Sequence, residues 1–322
     1  MRAAVLHTPG SPPTLGAHPG PVSAEGQTLV RVSAAPIVPL DLLCGSGTSY
    51  FGRPAVPYVP GVQGVGVVER SARYDAGTRV FFATSAGMAP GDGSLAELCA
   101  VPDADVVPLT EPVPDTVVAA LGLSAVAAWM ALTWRAGLRP GERVVVLGAG
   151  GAVGQVAVGA AKLLGAARVV AVCRSAGAAE RARRAGADEV VTLTGDADQL
   201  AAALAAAAGG GVDVVIDPVF GTAATAASRV LAPGGRLVNL GGASGDTAEF
   251  SSSVLRSRNA AVLGYTNNAL SRAQRAEALG ILLGHARSGA LAVDHDVLPL
   301  AAVADGWRAT ADGTGRRIVL TP

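Results

Sequence analysis

The stretch Val144-Val-Val-Leu-Gly148-Ala-Gly150-Gly151-Ala-Val-Gly154 decides how the chain is read. A short apolar run with no charge, of the kind that forms a strand covered on both faces, enters a cluster of glycines. Beyond it, Gly154–Leu164 is rich in alanine and valine and reads as a helix. Glycine permits the tight turn and the close backbone approach that a pyrophosphate requires, and a helix N-terminus offers unpaired N–H groups with a partial positive charge. A second apolar strand, Arg168–Val172, completes a βαβ unit of the dinucleotide-binding kind. Gly148, Gly150, Gly151, Ala152, Val153 and Gly154 are therefore expected to cradle a dinucleotide.

The end of the second strand reports which dinucleotide. An acidic residue about 20 positions beyond the glycines accepts the ribose hydroxyls of NAD, whereas arginine there suits the 2′-phosphate of NADP. Cys173-Arg174-Ser175 occupies that position, and no Asp or Glu occurs between Gly154 and Glu180. Arg174 and Ser175 are expected to bind the phosphate, and NADPH is the expected cofactor. Arg181 adds positive charge nearby, while Arg183 and Arg184 fit a solvated helix face.

Outward from this unit the pattern continues. Apolar strands at Glu189–Leu193, Val212–Ile216, Arg236–Leu240 and Ala261–Gly264 alternate with helical segments at Ala178–Ala185, Ala197–Ala208 and Thr222–Leu231. That alternation predicts a parallel, doubly wound sheet covered by helices. Upstream, short strands such as Thr28–Ala34 and Arg79–Ala83 lie between prolines and glycines, as in an irregular β-rich domain. Arg272–Leu291 and Arg316–Leu320 read as a helix and a strand that return to that first domain. The expected fold class is α/β, with a Rossmann NADP-binding domain at 119–267 and a discontinuous β-rich domain at 1–118 and 268–322.

Composition narrows the partners. In 322 residues, 25 basic and 25 acidic side chains cancel, leaving no charge footprint for nucleic acid or an anionic membrane surface. Half the residues are apolar and the mean hydropathy is +0.41, which raises a membrane question. Val117–Trp134 and Val144–Ala161 approach the roughly 20 residues of a bilayer span. The second is interrupted by glycines, and the first has neither flanking basic clusters nor aromatic belts. Buried segments are expected, in a soluble cytoplasmic protein. Cys44, Cys99 and Cys173 form no CxxC pair, and His7, His18, His285 and His295 show no ligand spacing, so no metal is expected. Lys162, the only lysine, sits in the helix after the glycine turn and reads as a surface residue.

With these residues in view, the chain resembles the medium-chain dehydrogenase/reductase superfamily, and within it the zinc-independent quinone oxidoreductase branch. The similarity rests on Met1-Arg-Ala-Ala-Val-Leu, Pro60-Gly61-Val62-Gln63-Gly64, Gly151-Ala-Val-Gly154, Val212-Asp-Val-Val-Ile-Asp217, Leu231-Ala-Pro-Gly-Gly235 and Gly315-Arg-Arg-Ile-Val-Leu320. It implies that the first domain is the GroES-like catalytic domain. It also implies a homodimer joined along the sheet edge near Ala261–Tyr265, and NADPH contacts at Gly241 and Tyr265. Where zinc-dependent relatives carry ligands, this chain has Val38, Val62, Gln63 and Leu123.

The departures also make the expected pocket apolar. Val38 stands for a family asparagine, Ala127 for a threonine near the nicotinamide, and Leu43 for an aromatic residue. The resemblance implies hydride transfer from NADPH to a small-molecule quinone or α,β-unsaturated carbonyl compound, with the developing oxyanion met by hydrogen-bond donors. Ser46, Thr48, Tyr50 and Asn267 are candidate donors with backbone N–H groups near Gly241, and Tyr50 ranks first. Asp41 reads as an acceptor at a helix start and Cys44 as a buried filler. Two alternatives remain: an enoyl reductase of a polyketide or acyl pathway, and a non-catalytic NADPH-binding redox sensor favoured by the lost polar groups.

Overall fold

Proline and glycine separate the strands of the opening segment, and the computed structural model, which describes residues 1–322, places them as follows. β1 (Arg2–Val5) pairs antiparallel with β2 (Thr14–Ala17). β3 (Gln27–Ile37) leads through Val38 into α1 (Pro39–Ser46), whose first position is the proline that a helix start tolerates. β4 (Gln63–Arg70), β5 (Arg79–Ala83), β6 (Leu98–Pro102) and β7 (Val106–Pro108) follow. β4 crosses β3 so closely that a Cβ on Gly66 would lie 2.1 Å from the Arg31 carbonyl oxygen. Leu6, Ile37, Phe82 and Leu95 fill the core beneath these strands.

The alanine-rich run after β7 forms α2 (Asp115–Met130) and ends in a π-helical turn, Ala131–Arg135. Asp115–Arg135 is long and apolar enough to cross a bilayer, but 72% of its most apolar window is buried within the fold. The helix is also broken at Gly122, whose φ of 39° and ψ of −139° are not helical.

Beyond it, strands and helices alternate as β8 (Arg143–Val146), α3 (Ala152–Leu163), β9 (Arg168–Cys173), α4 (Ala176–Arg184), β10 (Glu189–Thr192) and α5 (Ala197–Ala208). The series continues with β11 (Val212–Asp217), α6 (Gly221–Ser228), β12 (Leu231–Asn239), α7 (Ser252–Arg258), β13 (Ala261–Gly264) and α8 (Arg272–Arg287). All six strands are parallel, in the order β10-β9-β8-β11-β12-β13. This is the doubly wound arrangement, with the direction of winding reversing between β8 and β11. Val145, Leu147, Val170, Val215 and Leu237 supply its buried interior.

The chain closes with β14 (His295–Pro299), α9 (Val303–Ala311) and β15 (Arg317–Thr321). β15 inserts between β14 and β3, giving the order β14-β15-β3-β4-β5-β7, with β6 also on β3. Two compact units result, Met1–Gly122 with Val293–Pro322, and Leu123–Ala292. α8 groups with the second unit, although the sequence places 268–322 with the first. The reason is side-chain burial: Ala278, Leu279, Leu282 and Leu283 are buried, and His285 packs on Trp129 with ring centres 5.8 Å apart. β12 also begins five residues earlier than Arg236, because Leu231 already pairs with Val212 ahead of an irregularity in register.

Candidate cofactor site and substrate-side residues

The glycines after β8 are required by their surroundings. Gly148 has φ +61°, and a Cβ there would lie 2.6 Å from Val219 Cγ1. A Cβ on Gly150 would meet Ala178 Cβ at 2.4 Å, and one on Gly154 the Gly148 carbonyl oxygen at 2.4 Å. Gly151 differs: its nearest neighbour would be 3.5 Å away, so this side of the turn is open. Gly151 is also the N-cap of α3 and provides no side chain to satisfy the first N–H groups, at Ala152 and Val153. An open glycine turn before an uncapped helix start fits a pyrophosphate, so the expected set from Gly148 to Gly154 lies together at one strand end.

Two side chains fix the turn from behind. Arg181 Nε donates to the Gly150 carbonyl at 2.9 Å, and Gln155 Nε2 donates to the same oxygen at 3.1 Å. Neither follows from the glycine spacing; Arg181 reads in the sequence only as nearby charge, and Gln155 carries no signal beyond its place in α3. Cys173 is buried at the end of β9, where burial pushes its thiol up against the opposing pull of the Gly150 N–H. Arg174 follows it, exposed, and Ser175 caps α4 by accepting from the Ala178 N–H at 3.2 Å. Arg183 and Arg184 are exposed, the latter 3.6 Å from Glu180 on its own helix.

Across the winding reversal, Asp217 ends β11 fully buried. Its Oδ1 accepts from the N–H groups of Val219 and Phe220, at 3.0 and 2.7 Å, yet burial still pushes the carboxyl up. Asn239 at the end of β12 donates through Nδ2 to the Gly241 carbonyl at 2.8 Å. The Tyr265 N–H donates to the Asn239 carbonyl at 2.8 Å and its hydroxyl to Asn267 Oδ1 at 2.7 Å. Asn267 Nδ2 in turn donates to the Leu123 carbonyl at 3.0 Å. Gly241 and Tyr265 thus belong to one bonded group at the strand ends, with Asp217 and Asn239 as members the sequence did not single out.

The first unit holds the other named residues. Asp41 Oδ2 accepts from the Val38 N–H at 2.8 Å and Oδ1 from the Val62 N–H at 2.9 Å, fixing the start of α1. Cys44 is fully buried and its thiol is pushed up to about 11 by burial, the state of a filler. Ser46 Oγ donates to the Leu43 carbonyl at 2.8 Å and lies 2.7 Å from Thr48 Oγ1. Tyr50 is 81% exposed, its ring 4.2 Å from that of Phe51. Val38, Val62 and Gln63 are buried, and with Leu123 they offer three hydrocarbon side chains and one amide. That donor set does not fit zinc, which takes thiolate, imidazole or carboxylate.

Comparison with known proteins identifies the family. The family model described as zinc-binding dehydrogenase matches residues 152–282, and the alcohol dehydrogenase GroES-like domain matches 24–111. Quinone oxidoreductase from Thermus thermophilus, solved alone and with NADPH, is 34% identical over all of both chains with a TM-score of 0.82. Rat quinone oxidoreductase is 30% identical over 69% of this chain and 66% of its own length. A phenolphthiocerol/phthiocerol polyketide synthase subunit of Mycobacterium tuberculosis is 31% identical over 92% of this chain, which spans 14% of that larger protein. The fold, the glycine turn and these matches place the chain in the medium-chain dehydrogenase/reductase superfamily, in its quinone oxidoreductase branch.

Proposed function

We propose that the chain is an NADPH-dependent, metal-free oxidoreductase that reduces quinones or α,β-unsaturated carbonyl compounds by hydride transfer. The end of β9 carries the cofactor choice: Arg174 is exposed beside the glycine turn, with no carboxylate at the position that selects NAD. The NADPH complex of the Thermus enzyme supports the same choice, and the names of the relatives support the substrate class. When bound, the nicotinamide supplies the hydride. The chain's own task is to hold it at Gly148–Gly154 and to meet the charge that develops on the substrate oxygen.

With no zinc ligands at Val38, Val62, Gln63 and Leu123, that charge falls to hydrogen-bond donors. Ser46, Thr48 and Asn267 already serve internal bonds, so the exposed Tyr50 is the donor we propose. Y50F is expected to lower kcat by about 100-fold with NADPH binding unchanged, the size of effect seen when one oxyanion donor is lost. A Y50F enzyme with wild-type kcat rules this role out.

The match to the polyketide synthase subunit favours a second reading, reduction of enoyl thioesters. NADPH oxidation measured with a quinone, an enone and an enoyl thioester separates the two by substrate. Tight NADPH binding without turnover on any of them points instead to a redox sensor. We further propose a cytoplasmic homodimer joined along β13, a sheet edge whose Val262 is exposed; light scattering of the purified protein tests the dimer.

A further inference from the structure

Two residues other than glycine have positive φ, and they differ in kind. Asn259 (φ 48°, ψ 40°) ends α7 in the left-handed helical region, which asparagine tolerates. Phe220 (φ 59°, ψ −153°) lies in a region that only glycine occupies without strain. Nothing about a helix start requires this conformation, since an N-cap is ordinarily extended. Strain of this kind persists only where surrounding contacts over-determine it.

Those contacts are specific. Asp217 Oδ1 takes both the Val219 and Phe220 N–H groups, and the Phe220 ring is wedged against Phe250 with centres 6.1 Å apart. The Ser244 N–H donates to the Val219 carbonyl at 2.7 Å. The segment so fixed touches two glycines of the nucleotide site. Val219 Cγ1 fills the space where Gly148 would carry a Cβ, and the Pro218 carbonyl oxygen would lie 2.8 Å from a Cβ on Gly241. The loop after β11 therefore braces the loops after β8 and β12, and β8 and β11 are the strands between which the winding reverses.

We propose that Phe220 is a positioning residue for the cofactor: its strained peptide holds Pro218 and Val219 against Gly148 and Gly241. The proposal rests on the dinucleotide reading of that site. It makes stability and affinity move in opposite directions when the strain is released. Glycine at 220 accepts the conformation freely but also lets the loop leave it; leucine keeps a Cβ and an apolar anchor against Phe250.

The experiment compares wild type, F220L and F220G by thermal melting without ligand and by calorimetric titration with NADPH. F220L is expected to bind within about 2-fold of wild type. F220G is expected to melt no lower than F220L and yet to bind NADPH about 10-fold more weakly. If F220L does not fold, F220M takes its place in the same comparison. F220G binding as tightly as its partner variant overturns the positioning role, as does an affinity that follows melting temperature. A wild type that binds no NADPH removes the cofactor reading itself, and this inference with it.

Discussion

Arg181 Nε donates to the carbonyl oxygen of Gly150 at 2.9 Å, so a helix of the second βαβ step grips the turn of the first. The grip has a steric half, because Ala178 of the same helix seats directly on Gly150. R181M removes a charged donor whose net worth is about 1.5–3 kcal/mol. If that energy holds the turn in its binding shape, the Kd for NADPH rises about 10-fold or more in calorimetry, with kcat at saturating cofactor unchanged. G150A forces a Cβ into the Ala178 backbone and is expected to lower the melting temperature, with a cost of about 1–3 kcal/mol.

Arg174 makes a separate prediction about discrimination. R174A is expected to raise the Kd for NADPH about 10-fold or more and to leave NADH nearly unaffected, since the lost partner is a phosphate that NADH lacks. R174D should invert the preference. Parallel titrations with the two cofactors check this, and equal losses for both would assign Arg174 to the turn instead.

Asp41 and Arg317 are both buried, and burial dominates each: it pushes the Asp41 carboxyl from 3.8 up to about 6 and the Arg317 guanidinium down to about 10. The backbone N–H groups of Val38, Val62 and Gly61 and the charge of Arg317 pull Asp41 back only in part. A carboxyl that binds its proton more tightly when folded contributes stability below its unfolded pKa and loses it as pH rises through about 6. D41N cannot accept both N–H groups through one oxygen and leaves one of them buried without an acceptor, for a cost of about 1–3 kcal/mol. Because Asn does not titrate, that penalty should shrink between pH 4 and pH 6, where Asp41 changes charge. Urea titrations of both proteins across this range check the sign.

Gly122 breaks α2, and a Cβ there would lie 2.4 Å from Gln63 Oε1. G122A meets both an unfavourable backbone conformation and a buried amide, and is expected to destabilise by about 2–4 kcal/mol in urea unfolding. A neutral G122A would mean that the break is not needed to seat Gln63.

Elements built from local pattern were legible in the sequence. Arg79–Ala83, Ala197–Ala208 and Ala261–Gly264 have the expected bounds, since alternation, alanine content and flanking glycines are local properties. The glycine turn was legible for the same reason. What escaped depends on distant partners. The Gln155 and Arg181 bonds to Gly150 join separate helices, Asp217 and Asn239 meet only across the sheet, and the φ of Phe220 has no sequence signal. The place of α8 was hidden too, because its apolar face does not name the surface it covers. Ser46 and Thr48 show the converse: hydroxyls that looked available are bonded at the end of α1.

Steady-state oxidation of NADPH and NADH with a benzoquinone or an enone, after exhaustive dialysis against a chelator, distinguishes a metal-free NADPH enzyme from a metal-dependent or NAD-dependent one. Turnover is expected to survive chelation, with a kcat/KM at least 10-fold higher for NADPH, the discrimination expected of one charged phosphate contact. Turnover abolished by the chelator, or equal efficiency with NADH, would rule out a metal-free, NADPH-selective enzyme.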